Sequence, residues 1–297
     1  MPLIIGDPAD PHVAAVVDAM HSKPLMVDAA SILESAVTIS ANYVDVAGIE
    51  LQATHAWLRR LAPAVWASAI DAPGADQASH AAAIAALAAI IRDPRFTWLT
   101  ALDQFGKSEN KAVQYRQASA AGVPVPKWLI TTDPNSVPST GTWVVKPLGP
   151  GSFIDGTGLG RIVPTRLVDI TDPNVIAAAP FIIQQLIPAT IHARVVTVGD
   201  NVWSATLPAE NLPLDWRLSS ESHRAFTRVP TPDHVHDLAR EAARSNGVGF
   251  TAQDWIRDTS GSWWFVDLNP AGQWLFLPPE VAEPVTAAIA AFLDNHR

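Results

Sequence analysis

The chain contains no cysteine, and it has only 3 methionines and 2 tyrosines among 297 residues. Without cysteine there can be no disulfide, no thiolate metal site and no thiol nucleophile. Charge is also scarce. Only 16% of residues are Asp, Glu, Lys or Arg, and 20 basic against 29 acidic side chains leave a formal net charge of -9. A basic face that grips nucleic acid is not expected from that balance. Long apolar runs are missing too: the alanine-rich stretch 81–91 (AAAIAALAAII) spans 11 residues, whereas a membrane helix needs roughly 20. It reads as a buried helix. The start, MPLIIGDPAD, lacks the basic and apolar segments of a signal peptide. The expectation is a cytoplasmic chain with neither a membrane nor a nucleic-acid partner.

What remains is a composition that is 48% hydrophobic, in a chain long enough for two or three lobes. No repeat of 20 to 50 residues is visible. Residues 1 to about 98 alternate between strand and helix patterns, with strands at PLIIG and AVTIS and a helix over 78–91. In SENKAVQYRQASAAGVPVP, Ser108 is a plausible helix N-cap and Gly122 a stop before Pro124. Strands follow in GTWVVKPLGPGSF (141–153) and PFIIQQLIP (180–188). HARVVTVGDNVWSATL reads as a hairpin turning at Gly199-Asp200-Asn201. HVHDLAREAARSNGVG is a helix with a glycine stop, AQDWIRDTSGSWWFVDLNP a second hairpin, and AEPVTAAIAAFLDNHR a closing helix.

The second hairpin carries the chemistry. With its turn at Thr259-Ser260-Gly261-Ser262, Asp258 pairs with Trp263, Ile256 with Phe265, and Asp254 with Asp267. Paired residues share a face, and alternation puts Asn269 on it as well. Two carboxylates and an amide oxygen then converge. Like charges opposite one another destabilise a ladder unless they are neutralised, and Mg²⁺ with oxygen ligands does this. The alternative is that both aspartates point into water.

Lys146 ends the strand TWVVK before the glycine-rich stretch LGPGSFIDGTGLG. Such loops let backbone N–H groups close on phosphate oxygens while a lysine adds charge, although the pattern is not a P-loop. A plain structural turn is the alternative, as a solvated helix position is for Lys111. Arg194 sits in an apolar strand on the face of His192 and Val196, where an arginine pairs with an acid or an anion.

Read in order, these stretches resemble the ATP-grasp carboxylate ligases, and most closely the microviridin-type (graspetide) branch that macrocyclises ribosomal peptides. The resemblance runs over most of residues 50–277. It rests on HAWLRRLAP, ENKAVQYRQASAAGVPVPKWLITTDP, VVKPLGPGSF, IIQQLIPATIHARVVTVGDNVWSA, LDWRLSS and DWIRDTSGSWWFVDLNPAGQWLF. It implies an α/β and α+β architecture with an N-terminal Rossmann-like pre-ATP-grasp domain (1–105). A small lobe (106–185) and a C-terminal lobe (186–297) would then form the two-lobed ATP-grasp fold. It further implies ATP and Mg²⁺ as cofactors. Lys111 and Lys146 would meet nucleotide phosphates, beside Gly149, Gly151 and Ser152 of the loop. The hinge Gln184, Gln185, Leu186 and Ile187 would hold the base, and position 192 would lie at the ribose. Arg194 would face the transferred phosphoryl group, Asp215 and Arg217 would lie by the reacting carboxylate, and Asp254, Asp267 and Asn269 would carry Mg²⁺. The chain departs from the family pattern in having Gln185 where Glu is common, His192 where an acid is common, and Asp267 in place of Glu.

The implied reaction activates Asp or Glu side-chain carboxylates of a precursor peptide as acyl phosphates. Thr or Ser hydroxyls, or Lys amines, then capture them to give ω-ester or ω-amide rings. The partners would be a precursor peptide with a leader segment and a second copy of the chain, as a homodimer. Two alternatives stay open: a ligase joining a free amino acid or small acid to an amine, and a non-catalytic nucleotide-binding protein that recognises peptides. Neither a G-x-S-x-G motif nor an H-x-x-x-H pair is present, so serine and zinc hydrolases are unsupported. Arg59, Arg60, Arg217, Arg224 and Arg228 are candidates for a positive patch facing an acidic peptide. Trp57, Trp66, Trp203 and Trp216 line either a peptide groove or the core.

Overall fold

Leu3, Ile4 and Ile5 form β1 (Leu3–Ile5), an unbroken apolar triplet with every side chain buried. That pattern suits a parallel strand covered on both faces. A computed structural model of the chain describes residues 1–52, 54–62, 74–149, 152–154, 159–168, 176–219 and 221–295. In it, β1 lies between β2 (Leu25–Val27) and β6 (Thr54–Leu58), with β7 (Phe96–Trp98) beyond, and all these pairings are parallel. Helix α1 (Pro11–Ala19) starts where the Asp10 side chain accepts the His12 N–H at 2.8 Å, with Pro11 in its first turn. Helix α2 (Ala29–Glu34) starts at a reciprocal Asp28–Ser31 capping box. The strand expected at AVTIS is one of three in an antiparallel meander, β3 (Val37–Ile39), β4 (Val44–Val46) and β5 (Ile49–Glu50).

The alanine-rich helix α3 (Gly74–Ile91) has 18 residues, starting four before the expected 78–91, and is long and apolar enough to cross a membrane by length and composition alone. Its burial is one-sided. Ala83, Leu87, Ile90 and Ile91 pack into the N-terminal core, whereas Ala81, Ala82, Ile84, Ala85 and Ala89 are exposed. Alanine carries too little apolar area for composition to mark the buried face, so the expectation of a buried helix holds for one narrow face of it.

Helix α4 (Leu102–Ser108) precedes α5 (Lys111–Ala120). Ser108 is not the cap of α5. It ends α4, where its hydroxyl donates to the Phe105 carbonyl at 2.8 Å, and the Asn110 side chain caps α5 by accepting from Ala112 and Val113. Asparagine is as good an N-cap as serine, and it sits one residue from the helix. Gly122, at φ +81°, closes α5 as expected.

A small antiparallel sheet follows, in the order β12 (Arg166–Leu167), β9 (Trp143–Pro147), β13 (Phe181–Gln185), β8 (Trp128–Thr131). A ribbon of β10 (Ser152–Ile154) and β11 (Gly160–Ile162) interrupts it in sequence. The larger antiparallel sheet runs β15 (Asn201–Pro208), β14 (Ala189–Val198), β16 (Phe250–Asp258), β17 (Trp263–Asn269). Its first hairpin turns on Gly199-Asp200, with Gly199 at φ +56° and Asn201 already paired to Val198. Helix α6 (Asp233–Ser245) and α5 cover one face around Tyr115, Trp255 and Phe265. Helix α7 (Pro279–Asp294), three residues longer at its start than the sequence suggested, covers the other around Trp274.

The N-terminal unit is docked to the large sheet just after β7. Thr100 Oγ1 accepts the N–H groups of Gly249 and Phe250 at 3.0 and 3.2 Å. A Cβ on Gly249 would lie 1.8 Å from the Leu99 carbonyl oxygen, so only glycine allows this approach. Gly249→Ala is expected to lower unfolding stability by about 3 kcal/mol through overpacking, read by urea denaturation.

Candidate functional site

The large sheet places three charged residues on one cross-strand rung. Arg194 of β14 is paired with Asp254 of β16, and Asp254 with Asp267 of β17. Arg194 Nη1 donates to Asp254 Oδ1 at 2.9 Å. The Lys111 ammonium, from the first turn of α5, is bonded to Asp267. The two carboxylates are therefore flanked by one cation each, which answers the like-charge problem of the rung. Burial pushes the Asp254 carboxyl above its usual range; Asp267 adds to this and Arg194 opposes it.

The register is not the uniform one expected. Asp254 does oppose Asp267, but Trp255 pairs with Phe265, Ile256 with Trp264 and Arg257 with Trp263, leaving Val266 unpaired in a bulge. A bulge inserts one residue on one strand and shifts every neighbour beyond it. Its consequence is a change of face. Phe265 and Leu268 both enter the core with Trp255, and Asp267 and Asn269 turn to the opposite face. Strict alternation would have sent Asp267 the way of Phe265.

Four further segments converge here. Lys146 of β9 donates to Gln184 Oε1 of β13 at 2.6 Å. Burial, and repulsion from Lys111, bring its pKa down to about 8 against the pull of Asp267, Asp254 and Asp215. His192 of β14 is driven to about 4, chiefly by burial and further by Lys146, with Asp215 opposing. Asp215 is buried and accepts from Arg217 Nε at 2.8 Å, Arg217 Nη2 at 2.7 Å and the Thr165 N–H at 3.0 Å. Burial alone would raise its pKa, but these donors hold it below the ordinary carboxylate range. The charge of Arg217 is felt by both Asp254 and Asp267.

At the end of β13, the Gln185 N–H is committed to Lys127 O at 2.8 Å and the Leu186 N–H to Thr142 O at 2.9 Å. Among the described residues, the nearly buried Ile187 makes no such backbone bond through its N–H. Gly149 is exposed at the mouth of the loop. Gly151 and Trp66 lie outside the described residues, and of Ser152 only the backbone is described, opening β10. Asn269 pairs with Ala252, is exposed, and has its Oδ1 engaged by the Ala271 N–H at 2.9 Å.

Beyond Asn269 the chain turns back sharply. A Cβ on Gly272 would lie 2.3 Å from the Ala252 Cβ, so the glycine is required for close packing on β16. Arg59 is not part of a peptide-facing patch. It is buried, pairs with Asp10 at 3.1 Å, and donates to the carbonyls of Ala271 and Gly272. The Trp274 N–H donates to His12 Nε2 at 3.3 Å. Arg60 is part-exposed, 3.7 Å from Asp10. Trp57 is buried in the core and Trp203 packs against it, while Trp216 stacks edge-on with His223 and Phe226. Sequence reasoning missed Arg59 as an internal strap, and missed Gln114 and Tyr115 of α5, which are fully buried against β17. A polar pair on a helix face carries no mark of a strand some 150 residues away.

A magnesium nucleotide requires hard oxygen ligands for the metal and donors for the phosphates. Among the described residues no three His, Cys, Asp or Glu side chains cluster as a metal site. Two carboxylates with an amide oxygen suit Mg²⁺, which commonly takes one or two carboxylates and completes its shell with phosphate and water oxygens. Among the described residues, Arg194 Nε is a buried donor with no partner, a costly arrangement that an anionic oxygen relieves. Lys111, Lys146 and Arg217 add cationic groups. The residues present fit the group.

No protein-family model and no curated protein matches the sequence. Solved structures match over nearly the whole chain. The macrocyclase MdnC of Microcystis aeruginosa MRC, bound with precursor peptide MdnA, shares 18% identity at a TM-score of 0.80, covering 99% of both chains. A RiPP-associated ATP-grasp ligase of Chryseobacterium gregarium, in complex with ADP and leader and core peptides, shares 16% identity at 0.82, over 98% of this chain and 96% of that one. The ATP-grasp ligase PsnB, complexed with minimal precursor, Mg and ADP, shares 20% at 0.76 over 98% of each. The chain has the fold of these ATP-grasp ligases.

His12 and His192 both have their pKa values lowered to about 4, chiefly by burial, from 6.5. Each stays neutral in the fold while its unfolded counterpart takes up a proton below that value. Stability is therefore whole above about pH 6.5 and is lost as pH falls toward about 4. Urea midpoints measured across that window are expected to fall, and His12→Gln, which retains an acceptor for Trp274, is expected to flatten the dependence.

Proposed function

We propose that the chain is an ATP-dependent carboxylate ligase that acts on side-chain Asp or Glu carboxylates of a precursor peptide. It would join them to Thr or Ser hydroxyls, or to Lys amines, of the same peptide. The observation that carries this reading is the rung Arg194–Asp254–Asp267–Lys111, with Lys146 and the Asp215–Arg217 pair gathered around it, in a fold shared with precursor-binding ligases.

A carboxylate is a poor acylating agent because its leaving group would be oxide. In the reaction proposed, a carboxylate oxygen of the peptide attacks the γ-phosphorus of ATP and ADP leaves, giving an acyl phosphate. A hydroxyl or amine then attacks the acyl carbon, phosphate leaves, and the proton of the nucleophile passes to phosphate or solvent. One water is lost overall per ring. Such chemistry asks the protein chiefly for positioning and charge neutralisation.

The roles divide among the residues accordingly. Asp254, Asp267 and Asn269 would hold Mg²⁺, which when bound neutralises phosphate oxygens and orients them. Lys111, released from Asp267, and Lys146, backed by Gln184, would hold phosphates beside the backbone of Gly149, Gly151 and Ser152. The hinge Gln185, Leu186 and Ile187 would hold the base; among the described residues, the N–H of Ile187 is the one of the three without a backbone acceptor. Neutral His192 would meet the ribose through hydrogen bonds without charge. Arg194 would face the phosphoryl group in transfer. The bidentate Asp215–Arg217 pair fixes a planar fork suited to a carboxylate. The parallel N-terminal sheet is read as the Rossmann-like pre-ATP-grasp domain.

The test is incubation with candidate precursor peptides, ATP and Mg²⁺, followed by mass spectrometry and ADP assay. Loss of one water per ring is expected. Asp267→Asn is expected to lower turnover by about 10²-fold, the scale of losing one key electrostatic contact. Unchanged peptide mass with every plausible precursor, with ADP formed only on addition of a free amino acid, would move the chain to the small-acid ligases. ADP formation untouched by Asp267→Asn would overturn the site.

A further inference from the structure

Among the described residues β17 is the outer strand of the large sheet, so the backbone groups on its free side have no strand there to bond. They are bonded to the α5 segment instead. The Gln114 side chain donates through Nε2 to the Leu268 carbonyl at 2.7 Å and accepts the Leu268 N–H at Oε1 at 3.1 Å. A second Nε2 bond, to Ser108 O at 2.6 Å, ties the amide to the end of α4. The Tyr115 hydroxyl donates to the carbonyl of the bulged Val266 at 2.8 Å. The Phe265 N–H donates to Pro124 O at 2.8 Å. Lys111, one turn before Gln114 and Tyr115, is bonded to the Asp267 side chain. One helix thus contacts residues 266, 267 and 268 in succession.

We infer that Gln114 and Tyr115 are positioning residues for the cation site. They hold the Val266 bulge and the Leu268 peptide, and so fix the face on which Asp267 and Asn269 stand. The inference rests on the proposed magnesium role of Asp254, Asp267 and Asn269, and carries it to two residues whose side chains bond the backbone of β17. The physical reason lies in the register. Without the bulge, Asp267 falls in phase with Phe265, on the core side, and an edge strand has no second neighbour to hold a bulge in place. A tyrosine hydroxyl and a glutamine amide supply that neighbour from a buried helix face, where unpaired backbone groups are costly. Gln114 and Tyr115 have 1% and 0% exposure, so water does not compete for these bonds.

The test uses Mn²⁺ as probe, with ADP, read by electron paramagnetic resonance of free Mn²⁺. Tyr115→Phe removes one hydroxyl and almost no volume; Gln114→Met removes both Leu268 bonds at similar size. Each is expected to weaken Mn²⁺ binding about tenfold, the lower end for loss of a group that orients metal ligands. The Tyr115 hydroxyl also borders Gln184, so ADP binding in EDTA is measured in parallel and is expected to stay unchanged. Thr197→Val, which breaks a buried bond between Thr197 and Thr251 on β14 and β16, is the structural control. It is expected to lower the melting temperature and to leave Mn²⁺ affinity as it was. If Gln114→Met does not fold, Tyr115→Phe carries the test. Variants that lose melting temperature but bind Mn²⁺ within twofold of wild type would overturn the positioning role alone. A wild-type chain that binds no Mn²⁺ with ADP would overturn the cation site, and the positioning role with it.

Discussion

Two carboxylates facing each other on neighbouring strands are the constraint around which the rest of the site is arranged. Asp254 and Asp267 oppose one another on adjacent strands, and left alone they would weaken the ladder. The chain relieves the repulsion from outside the pair, with Arg194 on the far strand and Lys111 on a helix that approaches from the other edge. The resulting order of charges across the sheet is plus, minus, minus, plus. It is a stable resting arrangement because every carboxylate has a partner. In the proposed function it is also an exchangeable one, because a divalent cation would replace those partners in the same field and free both for anions.

The segments that supply this arrangement are far apart in sequence and rigid in different ways. The arginine and one aspartate ride on adjacent long strands whose hydrogen bonds leave little freedom. The second aspartate rides on an outer strand, and it is there that side chains take over the work of a missing neighbour. The turn beyond Asn269 is held in turn by Arg59 and His12 from the N-terminal unit. Three parts of the chain therefore have a hand on β17 and its exit: the strand beside it, the helix below it and the N-terminal strap. The lack of room for a Cβ at either Gly272 or Gly249 shows how closely these parts approach.

Local patterns in the sequence were legible where one element carried its own signal. The hairpin at Gly199-Asp200 announced itself by its turn residues, α5 by its glycine stop, and the opposition of Asp254 and Asp267 by counting outward from Thr259–Ser262. The cap of α5 is not legible locally because Ser108 and Asn110 are equally good candidates, and the preceding helix claims the serine. Composition did not reveal which face of α3 is buried, since alanine is nearly neutral on either side.

The sequence by itself determined the inventory: which acids and bases were available, that sulfur chemistry was absent, and that two aspartates and an asparagine would stand on one hairpin. Only the tertiary structure decided which way they face. That choice turns on one unpaired residue, Val266, and a bulge is set by bonds to a helix some 150 residues earlier in the chain, a contact no local period encodes. The same holds for Arg59, whose buried guanidinium reads from sequence as a surface charge and in the fold bonds two carbonyls across the molecule. Pairing within a hairpin is local and countable, whereas the partners of buried polar groups are chosen by the whole chain's packing.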